Sequence, residues 1–324
     1  MKERVMKIEK QKIYIPHAEI PVVEQCNLNC SLCNSHAYLI DNSEYPLEQF
    51  KKDVDILSEY IHFGFLTFMG GEPLLCENLY EYINYAKEKQ LGEVCRVLTN
   101  GFLVRKMSPE LMEAMDVLEI SHYPQMKATV SELNDYLEPL SKKYGFTYYI
   151  KKIKYFNCID TVALSEEAAQ QGYEKCSRIT DGCSIFNGYY YKCMRPKTTN
   201  LYLEKEYGII SDVNMREADG LKISEENFVE RFIAYRNRKE RLEACKYCLM
   251  GLESECSAIE GLKHWAYGYP WVIKTFYKSR FLYHGFKMFK KIFQYDEGAH
   301  YTSDEYIRTE CHKVRDKSKR HPVL

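Results

Sequence analysis

The sequence lacks the features that would place the chain in a membrane, on a nucleic acid or in a repeat array. No run of about 18 apolar residues predicts a transmembrane helix. The basic N-terminal segment lacks the apolar core of a signal peptide, so we expect a cytoplasmic location. The formal net charge of −1 gives no general attraction to nucleic acid, and no nucleic-acid partner is predicted. No internal repeat or low-complexity segment is visible.

Cysteine is the residue type in excess, with 13 in the chain. In a reducing compartment so many cysteines are not expected to form disulfides. Three stand alone among apolar or mixed neighbours, where we expect small buried residues, and one lies in a charged tail: Cys76, Cys95, Cys158 and Cys311. The other nine fall into three close groups, as metal or cluster ligation requires: 26/30/33, 176/183/193 and 245/248/256.

Strand and helix signals alternate through the first half of the chain. Apolar strand-like runs cover 18–24, 65–71, 93–101, 117–124 and 146–156. Apolar residues at helical spacing cover 47–63, 78–90, 109–116 and 130–145. Repeated βα units predict an α/β fold, a partial (β/α)6 TIM-like barrel with a parallel sheet and helices outside. The chemistry of such barrels lies where the strands end, and polar motifs follow each of the first four strands here.

The pattern changes near residue 165. An Asn-Gly pair at 187–188 between β-rich flanks predicts a hairpin, and 226–244 reads as an amphipathic helix that leads to Cys245. We therefore predict a small cysteine-rich α+β domain, built from a β-hairpin and a helix, followed by a helical C-terminal tail. The predicted division is 1–17 as an N-terminal extension, 18–165 as the barrel, 166–258 as the cysteine-rich domain and 259–324 as the tail.

The motif CNLNCSLC supplies three thiolates but no fourth ligand: Cys26, Cys30 and Cys33. Three thiolates on one loop can hold three irons of a [4Fe–4S] cluster and leave the fourth iron open to a small molecule. An open metal position is what distinguishes a catalytic site from a structural one. From this loop alone, a zinc site that borrows a distant fourth ligand stays open as the alternative.

The motif MGGEPLL follows the second predicted strand. Two glycines let a ligand approach the backbone, and Glu72 places an acceptor there that suits an amino group. The three-cysteine motif followed by Gly-Gly-Glu-Pro resembles the radical S-adenosylmethionine (radical SAM) superfamily, over roughly residues 18–155. In that family the amino and carboxyl groups of the cofactor chelate the open iron. One electron from the cluster then breaks the sulfonium bond, and a 5′-deoxyadenosyl radical abstracts a substrate hydrogen.

The resemblance assigns roles to residues at the strand ends. It makes Cys26, Cys30 and Cys33 the ligands of the first cluster. It implies cofactor contacts at Gly70, Gly71, Glu72, Pro73, Thr99, Asn100 and Ser121. For the last three of these, plain turn chemistry is the alternative. Leu32 stands where the family usually has an aromatic residue, which weakens the predicted adenine contact but not the cluster assignment.

The later cysteines resemble the auxiliary-cluster appendage of radical SAM enzymes, the SPASM domain or its shorter twitch form. This resemblance implies one auxiliary [4Fe–4S] cluster. In an ideal two-residue hairpin Cys183 and Cys193 point to opposite faces, which makes Cys183 the spare cysteine unless a bulge intervenes. A structural zinc ion in the same thiolates is the alternative. The candidate ligands are Cys176, Cys183, Cys193, Cys245 and Cys248.

The reaction implied is hydrogen abstraction that oxidises or epimerises a small polar, carbohydrate-type substrate. Only 25 residues precede Cys26, which we take as too few for a peptide-recognition domain. A peptide- or protein-modifying maturase is the alternative, and a non-catalytic zinc-binding interaction protein is the rival from another class. An epimerase would need a hydrogen donor, for which the candidates are Cys183, Cys256 and Cys311. A one-electron donor such as flavodoxin or ferredoxin is implied as a partner.

Residues 271–293 carry six Lys or Arg, no Asp or Glu, and many aromatic residues. A basic amphipathic helix of this kind is typical of peripheral membrane contact. The alternative is a helix that packs its aromatic side chains onto the barrel and leaves its lysines in water.

Overall fold

The structure, a computed structural model, describes residues 12–30, 33–123, 126–153, 159–161, 163–250 and 300–302. The predicted basic tail segment at 271–293 lies outside the described residues, as do Leu32, Cys158, Cys256 and Cys311. None of the helices in the described part of the chain combines the length and the apolarity needed to span a bilayer.

The strands form one mostly parallel sheet in the order β8-β7-β6-β1-β2-β3-β4-β5-β9. Their bounds are β1 Ile13–Val23, β2 Ile61–Gly70, β3 Gly92–Thr99, β4 Val117–His122, β5 Thr147–Lys152, β6 Ser184–Phe186, β7 Tyr189–Tyr191, β8 Gly220–Lys222 and β9 His300–Thr302. β1 to β6 pair with one another in parallel, while β7, β8 and β9 are antiparallel additions at the two edges. The predicted α/β fold with a mostly parallel sheet is confirmed.

The helix bounds are α1 Leu47–Tyr60, α2 Leu79–Glu88, α3 Pro109–Ala114, α4 Val130–Tyr144, α5 Glu166–Lys175, α6 Ser177–Asp181, α7 Thr199–Tyr207, α8 Met215–Ala218 and α9 Phe228–Arg236. Helices α1 to α6 lie between the parallel strands along the chain, and α1 to α4 pack on the apolar face of the sheet. Local sequence fixes their ends: α4 starts with a capping box between Thr129 and Glu132 and stops at Gly145, which has a φ of 81°.

Alternate residues on the strands divide the sheet into an apolar face and a polar face. The apolar face carries fully buried side chains such as Ile20, Phe68 and Ile120, which join those of the helices in one continuous core. Cys76 and Cys95 belong to this core, as the sequence predicts for isolated cysteines. The opposite face, which we call the inner face, carries polar side chains: His17, Glu19, Thr67, Arg96, Glu119, Tyr149 and Lys151.

The predicted hairpin at Asn187-Gly188 is confirmed. Both residues have positive φ, 45° and 83°, and Phe186 pairs with Tyr189 across the turn. The hairpin extends the main sheet, because Ser184 pairs with Glu19 of β1. The sheet therefore continues past residue 165, and the division into domains there stays a prediction.

The predicted helix over 226–244 is shorter than expected. It ends at Arg236, and a separate 3-10 turn, Glu243–Tyr247, carries Cys245. The buried carboxylate of Asp219 explains the break, because it accepts hydrogen bonds from the backbone N–H groups of Glu243 and Ala244 at 2.7 and 2.8 Å. This contact from a distant residue starts a new turn where periodicity alone would continue the helix.

A buried carboxylate on α1 anchors the hairpin. Asp53 accepts hydrogen bonds from the hydroxyl of Tyr45, the amide of Gln49 at 2.8 Å and the backbone N–H of Gly188 at 2.7 Å. We expect Asp53→Ala to lower the free energy of unfolding by about 3 kcal/mol, because it leaves the Tyr45 and Gly188 donors buried without an acceptor. Urea denaturation followed by circular dichroism measures the loss.

The matched control for that substitution is Asp55→Ala, on the same helix. Asp55 is largely exposed and pairs with Lys89 at the surface, so its loss should change stability much less. Equal losses for the two variants would contradict the role given to Asp53.

Candidate functional site

Two glycines bring the end of β2 against the end of β1. The backbone N–H of Gly71 donates to Val23 O and that of Glu72 donates to Gln25 O, both at 3.0 Å. A Cβ added at Gly70 would lie 1.7 Å from Val23 O, and one at Gly71 would lie 2.0 Å from Gln25 O. The glycine pair is therefore required by the close approach of two backbones, whereas the sequence suggested the approach of a ligand.

Glu72 ties the end of β2 to the end of β3. Its buried carboxylate accepts hydrogen bonds from the Thr99 hydroxyl at 2.6 Å, the Asn100 backbone N–H at 2.8 Å and the Leu74 backbone N–H at 3.0 Å. Burial raises the pKa of Glu72, and these three donors act in the opposite direction. Glu72 also caps the 3-10 turn that begins at Pro73. The described contacts thus give the carboxylate a structural role, and its predicted contact with an amino group stays a prediction.

Asn100, just after β3, links the end of that strand to the first cysteine group by hydrogen bonds. Its side-chain Nδ2 donates to Asn27 Oδ1 at 2.7 Å and lies 3.6 Å from Cys26 Sγ. The Leu28 backbone N–H also points at Cys26 Sγ, at 3.4 Å. Hydrogen-bond donors around a sulfur stabilise the thiolate form, which is the form that binds metal.

The three thiols of the cysteine loop (residues 26–33) lie close enough to influence one another. Burial raises the pKa of Cys26, and it raises that of Cys30 to about 11, with the neighbouring thiols adding to both effects. A backbone hydrogen bond from Cys33 N to Cys30 O, at 3.0 Å, closes the turn between them. The raised pKa values keep Cys26 and Cys30 neutral without a metal, and metal binding would convert them to thiolates. Three sulfurs on one loop fit the donor set of an iron–sulfur cluster.

Two residues at the end of β4 complete this edge. Ser121 lies at the end of the strand, and Tyr123, two positions on, forms a hydrogen bond with it. The pKa of Tyr123 is raised mainly by burial and also by Cys30 and Cys33, so its phenol lies near the thiols. The sequence analysis gave Tyr123 no role, although an aromatic residue directly after a barrel strand was a usable signal.

Four of the five later cysteines line one cavity, which we call the auxiliary cavity. Cys176 lies between α5 and α6, Cys193 follows β7, and Cys245 and Cys248 lie in and just after the 3-10 turn Glu243–Tyr247. Apolar side chains form much of the remaining wall, including Ile159, Tyr173, Ile179 and Leu242. Across the described ranges, no three His, Cys, Asp or Glu side chains converge on a point where one metal ion could sit.

Cys183 lies apart from those four. It is buried beside β1, with its Sγ 3.5 Å from His17 O, and it does not line the auxiliary cavity. Burial raises the pKa of Cys183 to about 12. The expectation that Cys183 and Cys193 point to opposite faces of the hairpin stays a prediction, because both residues line a second cavity.

A buried charged network joins the two cysteine groups. Arg195, two residues after Cys193, forms an ion pair with Asp160, and Nε2 of His36 lies 3.0 Å from the same carboxylate. Asp160 also forms a backbone bridge with Cys248. Burial alone would raise the pKa of Asp160, but the Arg195 charge lowers it overall. The sequence analysis gave these three residues no role, because His36 lies more than a hundred residues from both partners and such a contact leaves no local signal.

The first prediction for this site concerns Gly71. We expect Gly71→Ala to cost about 3 kcal/mol of stability, because its Cβ would overlap the Gln25 carbonyl and push the cysteine loop away. Gly145→Ala is the control: it also replaces a glycine, but no atom lies within 4 Å of the added Cβ. At position 145 the only loss of stability comes from the left-handed backbone conformation, which costs an alanine roughly 1 kcal/mol. Thermal unfolding measures the stability of both variants. If Gly71→Ala loses no more stability than Gly145→Ala, the close approach of the two backbones is not what requires glycine at position 71.

The second prediction concerns the charged network. Asp160→Asn leaves the buried Arg195 guanidinium without a counter-charge, and we expect a loss of about 3 kcal/mol. The control is Glu166→Gln, which removes a carboxylate from the exposed pairs with Arg241 and Lys246 and should have little effect. Denaturant unfolding of both variants tests the difference. A stable Asp160→Asn protein would show that the network does not depend on charge.

Comparison with known proteins identifies the part of the chain that carries the first cysteine group. Residues 20–157 match the radical SAM superfamily. Over 104 residues the chain is 32% identical to an S-adenosylmethionine-dependent nucleotide dehydratase of Flammeovirga pacifica, covering 29% of this chain and 35% of the relative. Over 103 residues it is 37% identical to the antilisterial bacteriocin subtilosin biosynthesis protein AlbA of Bacillus subtilis (strain 168), covering 30% of this chain and 21% of the relative.

A solved structure is also similar: the crystal structure of BtrN in complex with AdoMet and 2-DOIA. The TM-score is 0.48 at 17% identity, with 74% of this chain and 94% of that chain covered. The chain matches about a third or less of the length of the two curated relatives above. Residues 20–157 therefore form a radical SAM domain, and the cysteine loop and the Gly-Gly-Glu-Pro motif both lie within it.

Proposed function

We propose that the protein is an enzyme that cleaves S-adenosylmethionine reductively at a [4Fe–4S] cluster bound by Cys26, Cys30 and Cys33. The observation that carries the proposal is the packing of the cysteine loop against Gly71 and Glu72. When bound, the cluster and S-adenosylmethionine would supply one-electron cleavage of the sulfonium bond and a radical that abstracts a substrate hydrogen.

The chain's own residues prepare this site. The backbone of Gly71 and Glu72 fixes the start of the cysteine loop, and Asn100 directs an N–H at Cys26 Sγ. With Thr99 held by Glu72, a row of backbone and polar groups lies along the strand ends beside the thiols. We assign the contacts to S-adenosylmethionine to this row: Gly70, Gly71, Glu72, Pro73, Thr99, Asn100 and Ser121.

The auxiliary cavity is the proposed site of a second [4Fe–4S] cluster, held by Cys176, Cys193, Cys245 and Cys248. In the described residues these thiols surround a cavity and do not meet at one point. Four thiolates are the usual ligand set of a [4Fe–4S] cluster, and a zinc ion held by the same thiolates is the alternative that a metal analysis distinguishes. Cys183 is not part of the proposed set.

The proposed substrate is a small polar molecule of the carbohydrate type, which would be oxidised or epimerised. The polar inner face of the sheet supports this, because it borders a cavity of about 470 Å³. A cavity of that volume lies within the roughly 300–1,000 Å³ typical of small-molecule sites. The relatives named above include a nucleotide dehydratase and a bacteriocin biosynthesis protein, so a peptide substrate is the second candidate. A flavodoxin or ferredoxin would supply the electron.

The test is iron and sulfide per chain after anaerobic reconstitution, with zinc measured on the same sample. We expect about eight irons, since two four-iron clusters are proposed. Replacing Cys26, Cys30 and Cys33 by Ala together should leave about four irons and abolish formation of 5′-deoxyadenosine from S-adenosylmethionine with dithionite.

The controls separate the two cysteine groups. Replacing Cys176, Cys193, Cys245 and Cys248 together should also leave about four irons but keep cofactor cleavage, whereas Cys183→Ser should keep about eight. Stoichiometric zinc with negligible iron would contradict the enzyme proposal and support a zinc-binding interaction protein.

A further inference from the structure

The inner face of the sheet forms one wall of a cavity of about 470 Å³, which we call the inner cavity. His17 and Glu19 of β1 contribute to it, and so do Arg96 of β3 and Lys151 of β5. These four residues come from three strands and share the face opposite the helices. Such a parallel sheet is usually apolar on both faces, so charged side chains on one face need a functional explanation.

The lining of the inner cavity is predominantly cationic. Four side chains that carry positive charge line it, Arg96, Lys151, Arg178 and Lys192, against the single carboxylate of Glu19. A concave, partly desolvated surface with an excess of one sign concentrates ligands of the opposite sign. The charge balance of the cavity thus favours an anionic ligand, although the chain as a whole is almost neutral.

Two of the four cations are already engaged. Arg96 pairs with Glu119 at 2.8 Å and donates to the Thr67 hydroxyl. The Lys192 ammonium donates to the Tyr173 hydroxyl and to the Arg236 carbonyl, each at 2.8 Å, and is buried. These two side chains shape the cavity and add to its positive electrostatic potential. Most of their hydrogen-bond donors are already bonded within the protein.

The other two cations have donors left for a ligand. Among the described residues, no hydrogen bond or ion pair engages the Lys151 ammonium. Arg178 has one long ion pair, 3.4 Å to Glu19, and its side chain is 46% exposed. A guanidinium and an ammonium on one cavity suit the oxygens of a phosphate group, because both donate charge-assisted hydrogen bonds.

The inner cavity borders the auxiliary cavity and reaches the strand next to the proposed S-adenosylmethionine edge. Lys151 is the register partner of Ser121, which ends β4 at the proposed S-adenosylmethionine edge. On the other side the cavity is lined by Cys193, and Arg178 lines both this cavity and the auxiliary cavity. A molecule bound here would lie next to the place where the radical chemistry is proposed.

We propose that the inner cavity binds a phosphate-bearing small molecule, whose phosphate oxygens contact Lys151 and Arg178. The ligand's role as the substrate rests on the proposed function, whereas the binding itself does not. Glu19, which also lines the cavity, is a nearby partner for hydroxyl groups of the same molecule.

Isothermal titration of the reconstituted protein tests the binding. The probes are glucose 1-phosphate, inorganic pyrophosphate and citrate, with glucose as the uncharged match of the first. We expect both phosphate probes to bind at least tenfold more tightly than glucose or citrate, and more weakly as salt is raised. Lys151→Gln and Arg178→Gln should each weaken pyrophosphate binding about tenfold, since each removes a charge-assisted contact.

The matched control is Lys152→Gln, the same change at the next position of β5, which does not line the inner cavity. It should leave pyrophosphate binding unchanged. The inference is overturned if glucose binds as well as glucose 1-phosphate, if citrate binds as tightly as pyrophosphate, or if all three Gln variants bind alike.

The binding assay also separates this inference from the proposed function. Phosphate binding that depends on Lys151 and Arg178 in a protein unable to cleave S-adenosylmethionine would support the anion site and contradict the enzyme proposal. Cofactor cleavage without selective phosphate binding would support the enzyme proposal and contradict the anion site.

Discussion

One buried carboxylate connects the ends of three strands and thereby the whole candidate site. Glu72 follows β2, its backbone N–H bonds to the chain leaving β1, and its side chain holds Thr99 and Asn100 at the end of β3. These bonds form because Gly70 and Gly71 let the backbones approach more closely than any side chain permits. The position of the cysteine loop, and with it the spacing of the three thiols, depends on this junction.

The second constraint is the separation of the two faces of the sheet. One face is apolar and buried under the helices, which stabilises the fold. The other face carries charged and polar residues that are tied together across strands, such as Arg96 with Glu119 and Glu119 with Tyr149. This cross-strand network forms one wall of the inner cavity, which Cys193 also lines. One face of the strands therefore stabilises the fold, and the opposite face carries the polar residues proposed for chemistry.

The buried Asp160–Arg195 pair plays a comparable role between the two cysteine groups. It joins the segment after Cys193 to His36, three residues after Cys33, and Asp160 also meets the backbone of Cys248. A fixed ion pair of this kind holds the auxiliary cavity in a constant position relative to the cysteine loop. A fixed separation is what electron exchange between two clusters would require.

Local patterns predicted the features that depend on local physics. The βα periodicity predicted the parallel sheet, and Asn187-Gly188 predicted the hairpin. Contacts between distant segments could not be read from the sequence. Three features depend on partners that the fold alone brings together: the 3-10 turn that Asp219 starts at Glu243, the hydrogen bond from Thr99 to Glu72, and the charged network at His36.

The polar inner face could be predicted from the sequence only in part. The alternation that produces it is present in the strand sequences, as in His17 and Glu19 or Tyr149 and Lys151, and it was a usable signal. What the sequence could not give is the curvature that gathers residues of β1, β3 and β5 around one cavity.

The central claim is that the cysteine loop holds a cluster with one iron open to S-adenosylmethionine. The most direct measurement is the electron paramagnetic resonance spectrum of the reduced protein with and without S-adenosylmethionine. It is made on the variant in which Cys176, Cys193, Cys245 and Cys248 are all replaced, so that only the first cluster contributes. The account predicts a spectrum that changes when the cofactor is added, because the amino and carboxyl groups of the cofactor ligate the open iron. An iron-loaded protein whose spectrum is unchanged by saturating S-adenosylmethionine would contradict it.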